Sequence, residues 1–406
     1  MYITVSCLYH QESIIRIGMP FSGRLQLVLT MELRKFVTSE FVFGNGARFL
    51  AGRYASNLGG EHVFIVTDPG IMDTGLLDDL KSSMDDEGLE YSVYHEVTPN
   101  PRDHEVMKGA EVFEAEECDI IVALGGGSPI DCAKAIGAVA SNGMHVREFE
   151  GVDMIPVPSA PVICIPTTAG TGADVSQFAI IMDTERSVKM AIISKTMVPD
   201  AALIDPETTV TMDRELTAAT GMDALAHAVE AYVSNASFHI TDLNALDSIG
   251  IINRCLPVAV SEPKNLDVRE SMMLASLEAG LAFSNASLGL LHGMAHSLGG
   301  KLDIAHGEAN ALLLEHVMDF NFPAAKEKYS KIAGALGLES ASRDELTGYI
   351  RKFREDIGIG KTLSDLGVTP DEIPELAETS MNDPCIVTNP MKPRVEDVEE
   401  IFRRAL

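Results

Sequence analysis

Basic side chains and long apolar runs are both scarce in this chain of 406 residues. Lys and Arg total 31 against 60 Asp and Glu, which gives a formal net charge of −29. Such a charge repels nucleic acid and anionic membranes on average, so neither is an expected partner. Charged side chains interrupt the apolar runs of the first 30 residues, and the sequence predicts neither a signal peptide nor a membrane span.

The sequence also lacks the cysteine patterns of a disulfide framework or a zinc finger. It has six cysteines, at positions Cys7, Cys118, Cys132, Cys164, Cys255 and Cys385. None of them forms a C-x-x-C pair, and six are few for a chain of this length. The sequence therefore predicts reduced thiols and a cytoplasmic protein.

The length exceeds what one hydrophobic core usually supports, so two domains are expected. Between residues 31 and 210, short β-branched runs alternate with helical segments, and the unbroken run "DIIVAL" is typical of a parallel strand buried on both faces. Between residues 211 and 406, helical periods dominate. We therefore predict an α/β domain with a parallel sheet over 31–210, an all-helical domain over 211–406, and an extension over 1–30.

A glycine-rich turn follows one of the predicted strands. Gly125, Gly126, Gly127 and Ser128 stand between that strand and a predicted helix. Glycines let the backbone approach a pyrophosphate, and a helix N-terminus attracts anions. A sharp turn without a ligand is the alternative interpretation.

An acidic residue, Asp68, ends the earlier run "HVFIVTD". Its carboxylate could accept hydrogen bonds from ribose hydroxyls and repel a 2′-phosphate, which favours NAD over NADP. In the ordinary dinucleotide fingerprint the acid follows the glycines, whereas here it precedes them. A solvated carboxylate at a strand end is the alternative.

Five candidate metal ligands lie in the predicted helical domain. Asp223 and His227 are four residues apart, as are His292 and His296, so each pair shares one face of a helix; His306 follows a break. Imidazole and carboxylate groups suit zinc, iron or nickel. A catalytic metal keeps an open position, so five protein ligands are too many, and the spacing does not identify the one that is free.

Several ordered motifs resemble those of the iron-containing (group III) alcohol dehydrogenase family, which is related in fold to glycerol dehydrogenase and dehydroquinate synthase. They include "GGGSPIDCAKAIG", "PTTAGTGADVS", "GMDALAHAVEAY" and "FSNASLGLLHGMAHSLGG", and the resemblance extends from about residue 31 to the C-terminus. It implies a dehydroquinate synthase-like fold. One departure is Ala305, which stands where the family usually has a proline before the last histidine ligand.

The resemblance also implies roles for individual residues. The implied metal ligands are Asp223, His227, His292 and His306. The implied NAD contacts are Asp68, Asn100, Gly125, Gly126, Gly127, Ser128, Thr167, Thr168, Thr171 and Lys189. Phe283 and Cys385 match positions that border the substrate pocket, although from the residues alone core packing is the better explanation of both. His296 lies beside the metal, and an imidazole with an ordinary pKa near 6.5 is suited to relay a proton, so it is the predicted catalytic residue.

The expected activity is hydride transfer between a primary alcohol and NAD, which yields an aldehyde. The expected metal is Fe(II), with Zn or Ni as alternatives, and a homo-oligomer, a dimer or larger, is implied. Two other functions remain open: an enzyme of the dehydroquinate synthase or glycerol dehydrogenase type, and a nucleotide-binding regulatory protein with a structural metal.

Overall fold

The computed structural model describes residues 33–339 and 342–406. Residues 35–406 form one compact unit. The predicted extension over residues 1–30 lies outside the described residues.

Nine strands occur in the described part of the chain, and they form two sheets. They are β1 (Glu40–Phe43), β2 (His62–Val66), β3 (Glu90–Tyr94), β4 (Ile120–Gly125), β5 (Gly151–Val152), β6 (Val162–Pro166), β7 (Phe178–Asp183), β8 (Val188–Ile193) and β9 (Ala201–Ile204). Six strands form a parallel sheet in the order β1-β9-β6-β4-β2-β3. The other three form a small mixed sheet in the order β5-β8-β7. The prediction of a parallel α/β half is confirmed.

Strand β4 is buried on both faces, which explains its unbroken apolar sequence. Ile121 and Ala123 pack into one core, and Ile120 and Val122 pack into another on the opposite face. Successive side chains of a strand alternate between the two faces of a sheet, so both sets must be apolar when helices cover both.

Thirteen α-helices occur among the described residues. They are α1 (Ala51–Asn57), α2 (Leu76–Glu87), α3 (Asp103–Ala115), α4 (Gly127–Asn142), α5 (Arg214–Val233), α6 (His239–Ser261), α7 (Leu266–Ala286), α8 (Leu290–Leu302), α9 (His306–Asn321), α10 (Lys326–Ala335), α11 (Arg343–Asp356), α12 (Ile373–Met381) and α13 (Val395–Ala405). After Ile204 the described chain contains helices and turns but no strand. The predicted domain limit at residue 210 falls between β9 and α5 and stays a prediction.

Helix α6 has the length and the apolar composition of a membrane span, although the sequence predicted no such segment. It packs against α5 and α7. Its buried side chains include Ile249, Ile252 and Leu256. Core helices meet the same criteria of length and composition.

The carboxyl ends of the central strands meet at one edge of the parallel sheet. The Thr167 N–H, just past β6, donates to the Gly125 carbonyl at the end of β4 (2.9 Å). The Thr67 hydroxyl, just past β2, donates to the Leu124 carbonyl (2.8 Å). This edge is where ligands bind in open α/β sheets.

Candidate active site

Four of the five candidate metal ligands converge on one point between three helices. Asp223 and His227 lie on α5, His292 lies on α8, and His306 is the first residue of α9. One ligand atom from each residue lies within 4.8 Å of every other. Asp223 Oδ1, for example, is 3.7 Å from His306 Nε2 and 4.0 Å from His227 Nε2. We call these four residues the Asp–His cluster.

Burial keeps the imidazoles of the Asp–His cluster neutral. It lowers the pKa of His227 to about 4 and that of His292 to about 3, and it also lowers the pKa of His306, in each case because the charged form loses its hydration. A neutral imidazole has a free lone pair, which is the form that binds a metal.

The side-chain amide of Asn310 marks the point of convergence. Its Nδ2 lies 2.7 Å from Asp223 Oδ1 and 3.2 Å from the Nε2 atoms of both His292 and His306. Three acceptor atoms thus face a single electropositive group. One carboxylate and three neutral imidazoles that converge in this way fit a divalent transition metal.

His296 lies beside the Asp–His cluster but belongs to a different group of side chains. Its ring is stacked near that of His306, with centroids 5.2 Å apart. Its Nδ1 lies 2.7 Å from Asp383 Oδ2, and Cys385 completes this second group. The geometry therefore separates His296 from the other four candidate ligands, a distinction that sequence spacing left open.

A cavity of about 650 Å³ connects the Asp–His cluster with the edge of the parallel sheet. Asp223, His296 and His306 line one end of it. Nine of the ten predicted NAD contacts line it as well: Asp68, Asn100, Gly126, Gly127, Ser128, Thr167, Thr168, Thr171 and Lys189. Gly125 is not among the lining residues; it ends β4 with φ +155°, a conformation that favours glycine.

The glycine turn begins α4 against the loop that contains Thr168 and Thr171. A Cβ at Gly127 would lie 2.6 Å from Thr171 Cγ2, and one at Gly126 would lie 3.1 Å from Thr168 Cγ2. Gly127 is therefore needed for this close approach, and a side chain at Gly126 would require Thr168 to shift slightly. Because α4 starts at Gly127, its free N–H groups lie at the cavity wall, where an anion is favoured.

Lys189 is half-buried and lines the cavity. Burial lowers its pKa to about 8, although Asp223, Asp303 and Asp131 oppose that shift. A Cβ at Gly299 of α8 would lie 2.7 Å from Lys189 Nζ, so this glycine leaves room for the lysine.

Phe283 and Cys385 are buried and lie behind the Asp–His cluster. The Phe283 ring stacks on His227 with centroids 4.4 Å apart. The Cys385 N–H donates to Asp383 Oδ1 (2.8 Å). Neither residue lines the cavity, so their predicted contact with substrate stays a prediction.

Sequence reasoning missed three polar residues around the cluster: Glu230, Asn310 and Asp383. Glu230 lies three residues after His227 on α5, and Asn310 lies four residues after His306 on α9, so helical spacing offered a signal for both. Asp383 offered none, because it lies 87 residues from the histidine that it contacts.

Comparison with known proteins agrees with this architecture. The family model described as iron-containing alcohol dehydrogenase matches residues 38–206, and the model of the C-terminal part of the Fe-containing alcohol dehydrogenase family matches residues 217–406. Alcohol dehydrogenase 4 of Schizosaccharomyces pombe is 41% identical over 373 residues, which cover 91% of this chain and 88% of that protein. The NAD-dependent methanol dehydrogenase of Bacillus methanolicus is 36% identical over 377 residues, covering 91% of this chain and 99% of that protein.

Solved structures show the same relationship. The crystal structure of 1,3-propanediol oxidoreductase superposes with a TM-score of 0.89 at 38% identity, covering 92% of this chain and all of that one. Alcohol dehydrogenase from Oenococcus oeni gives the same TM-score at 34% identity and the same coverage. The chain therefore belongs to the iron-containing alcohol dehydrogenase family, and it is an oxidoreductase of alcohols and aldehydes.

Proposed function

We propose that this enzyme interconverts a primary alcohol and its aldehyde, with NAD as the hydride carrier and one divalent metal. Fe(II) is the expected metal, and Zn or Ni are the alternatives. The observation that carries the proposal is the single cavity that borders both the N-terminus of α4 and the Asp–His cluster. One bound dinucleotide could thus extend from the sheet edge to the metal ligands.

The Asp–His cluster would hold the metal. When bound, the metal supplies Lewis-acid stabilisation of negative charge on the substrate oxygen, and NAD supplies a hydride acceptor. Asp223 is the carboxylate of the set, so the four ligands would carry one formal negative charge against the two positive charges of the ion.

The protein's own residues would bind the dinucleotide, orient the reactants and accept a proton. The N-terminus of α4 and the Thr167–Thr171 loop would bind the pyrophosphate, and the Asp68 carboxylate would accept hydrogen bonds from ribose hydroxyls. His296 would accept the proton of the alcohol on its Nε2 atom, because Asp383 occupies Nδ1. The walls of the cavity would exclude water and align the two reactants.

A dehydroquinate synthase-like reaction is disfavoured because few cationic side chains lie near the Asp–His cluster. A sugar-phosphate site needs several Lys or Arg side chains, yet among the described residues Lys189 is the one such side chain that lines the cavity. Arg269 is buried and donates to the Pro263 and Met212 carbonyls, and Lys301 is paired with Glu375.

A regulatory protein with a structural metal is disfavoured by the openness of the cluster. Structural metal sites are closed by protein ligands, whereas catalytic sites keep a position for substrate. Here Asp223 and His306 both border the cavity.

The test is metal analysis combined with NADH oxidation against a panel of aldehydes. The protein is prepared with Fe(II), Zn or Ni and compared with the Asp223→Ala variant, which should lose both metal and turnover. We expect stoichiometric metal and turnover of small aldehydes. Turnover that is equal in the metal-free protein, or no turnover with any metal, would contradict the proposal.

We further propose that the enzyme is a cytoplasmic homo-oligomer, a dimer or larger. The five cysteines in the described part of the chain are free, which is typical of a reducing compartment. Light scattering on the purified protein tests the assembly; a monomer at micromolar concentration would contradict it.

A further inference from the structure

Glu230 is a buried carboxylate that contacts a member of the Asp–His cluster without belonging to it. It lies on α5, three residues after His227, with 4% of its surface exposed. Its Oε2 is 2.6 Å from His292 Nδ1. In the described part of the chain, no Lys or Arg forms an ion pair with it. Burial raises the pKa of Glu230 to about 7, and its other contacts oppose that shift by stabilising the charged form.

Those contacts are backbone N–H groups at the N-terminus of α8. Glu230 Oε1 accepts from the Leu291 N–H (2.8 Å). Its Oε2 accepts from the N–H groups of Gly289 (3.0 Å) and His292 (3.4 Å). These donors would otherwise be unsatisfied, because the first turn of a helix has no internal partners for them. A carboxylate from α5 therefore caps α8.

Gly289 makes this long-range cap possible. It is the N-cap residue of α8 and has no side chain that could cap the helix itself. A Cβ at this position would lie 2.7 Å from Glu230 Oε1 and 2.7 Å from Asn389 Oδ1. Any larger residue would clash with both oxygens, so the close approach of Glu230 and Asn389 to this backbone depends on glycine.

The cap also favours one tautomer of His292. Glu230 accepts three backbone N–H bonds and faces Nδ1 as a further acceptor, which favours the tautomer with the hydrogen on Nδ1. The lone pair is then on Nε2, the atom that faces the Asn310 amide and the other cluster residues. By contrast, the buried Nδ1 of His306 has no hydrogen-bond partner. His292 is thus the proposed ligand whose ring is held by a buried carboxyl group from another helix.

We infer that Glu230 is the positioning residue of the metal site, which orients His292 and ties α8 to α5 without binding the metal. The inference rests on the proposed metal ligation by the Asp–His cluster. Carboxylates that hold the second nitrogen of a ligating histidine raise the basicity of the ligand and restrict its rotation. The same contact joins the two helices that provide three of the four ligands.

The test compares metal retention in the wild-type protein and in Glu230→Gln. Glutamine keeps the size of the side chain but places an amide N–H₂ where one of the accepting oxygens stood. We expect metal affinity to fall about 10- to 100-fold and release to a chelator to accelerate accordingly. In the Co(II)-substituted protein, we expect the visible absorption bands to shift, since the orientation of one ligand changes.

Glu315→Gln is the matched control. Glu315 is another buried carboxylate of the helical half, on α9, and it is paired with Arg354 (2.8 Å). Its loss should lower the free energy of unfolding and leave metal affinity and the Co(II) spectrum unchanged. This control separates a general loss of stability from a specific effect on the metal.

The outcomes are distinguishable. One outcome would overturn this inference alone. In it, the wild-type enzyme is active with stoichiometric metal, and Glu230→Gln has the same metal affinity and the same Co(II) spectrum as the wild type. A wild-type protein that holds no metal would overturn the proposed function and the inference with it. If Glu230→Gln does not fold, the same measurements on Gly289→Ala decide, because its Cβ displaces the carboxylate while every polar group is kept.

Discussion

His296 Nδ1 lies 2.7 Å from Asp383 Oδ2. A carboxylate from the C-terminal part of the chain therefore orients the one of the five candidate residues that lies outside the Asp–His cluster. Burial acts to raise the pKa of Asp383, but the proximity of His296 and the Cys385 N–H hold it below its usual range. An ionised Asp383 keeps the hydrogen on Nδ1 and leaves Nε2 free to accept a proton.

Replacement of His296 by Ala should reduce turnover and leave the metal in place. We expect kcat to fall by about 10²- to 10⁴-fold, the usual contribution of a general acid or base. Metal analysis of the same preparation is the control. Loss of the metal together with activity would make His296 a ligand and would contradict its role as a proton relay.

The Asp383→Asn variant should be slower than the wild type because its amide can stabilise the wrong tautomer of His296. The loss should not exceed that of His296→Ala, and the double variant should be no slower than His296→Ala alone, since both changes act on one proton transfer. Steady-state rates of the four proteins check this. Additive losses would show that Asp383 acts independently of His296.

Asp68 should determine the preference for NAD over NADP. Its carboxylate lines the cavity, where it accepts a hydrogen bond from the Gly70 N–H (2.7 Å). Asp68→Ser removes the charge that would repel the 2′-phosphate of NADPH. The ratio of kcat/KM for NADPH to kcat/KM for NADH should therefore rise by roughly 10-fold or more, because like-charge contacts cost several kcal/mol. Thr74→Ser, at a polar residue that lines the same cavity, is the control, and an equal shift in both variants would contradict the assignment.

Asp303 connects the C-terminal end of α8 with the loop after β3, which contains the cavity residue Asn100. It is the C-cap residue that follows α8, and it accepts from Asn100 Nδ2 (2.7 Å) and Arg102 Nη2 (3.1 Å) in the loop after β3. Its side chain is 54% exposed, so the contact should contribute about 1 kcal/mol or less. We expect Asp303→Ala to raise the KM for NAD by about 5-fold or less, with little change in the melting temperature.

A larger effect on stability than on KM in Asp303→Ala would show that the contact is structural. Lys352→Ala removes an exposed ion pair to Asp356 on α11 and is the control for the loss of a surface charge pair.

Asp319 should contribute stability that depends on pH. Burial acts to raise its pKa, but Arg343 and Arg404 more than offset this and hold the pKa below its usual range. The ionised form is therefore favoured in the folded state. Its contribution is complete above the pKa of an unfolded Asp, about 3.9, and is lost as the pH falls through the lower folded value.

Asp319→Asn should therefore destabilise the protein at neutral pH by about 1–2 kcal/mol, since both arginines are partly exposed. The difference from the wild type should shrink as the pH falls toward about 3. Urea unfolding across this range measures it. A difference that stays constant with pH would contradict the ionic origin.

Local sequence determined the secondary-structure elements and the pairing of the candidate ligands on their helices, because helices and strands have fixed periods. Four-residue spacing is enough to place Asp223 beside His227 and His292 beside His296 on their helices. The unbroken apolar run of β4 predicted a strand buried on both faces, and helices do cover both of its faces.

Only the tertiary structure decided how these pieces meet. It placed Asp383 at Nδ1 of His296, which separates this residue from the other candidates as the resemblance implied and spacing could not, and it brought Glu230 to the N-terminus of α8. Neither contact has a fixed spacing, because each joins residues more than sixty positions apart. Such contacts depend on the packing of whole helices, and no local period of the chain encodes that packing.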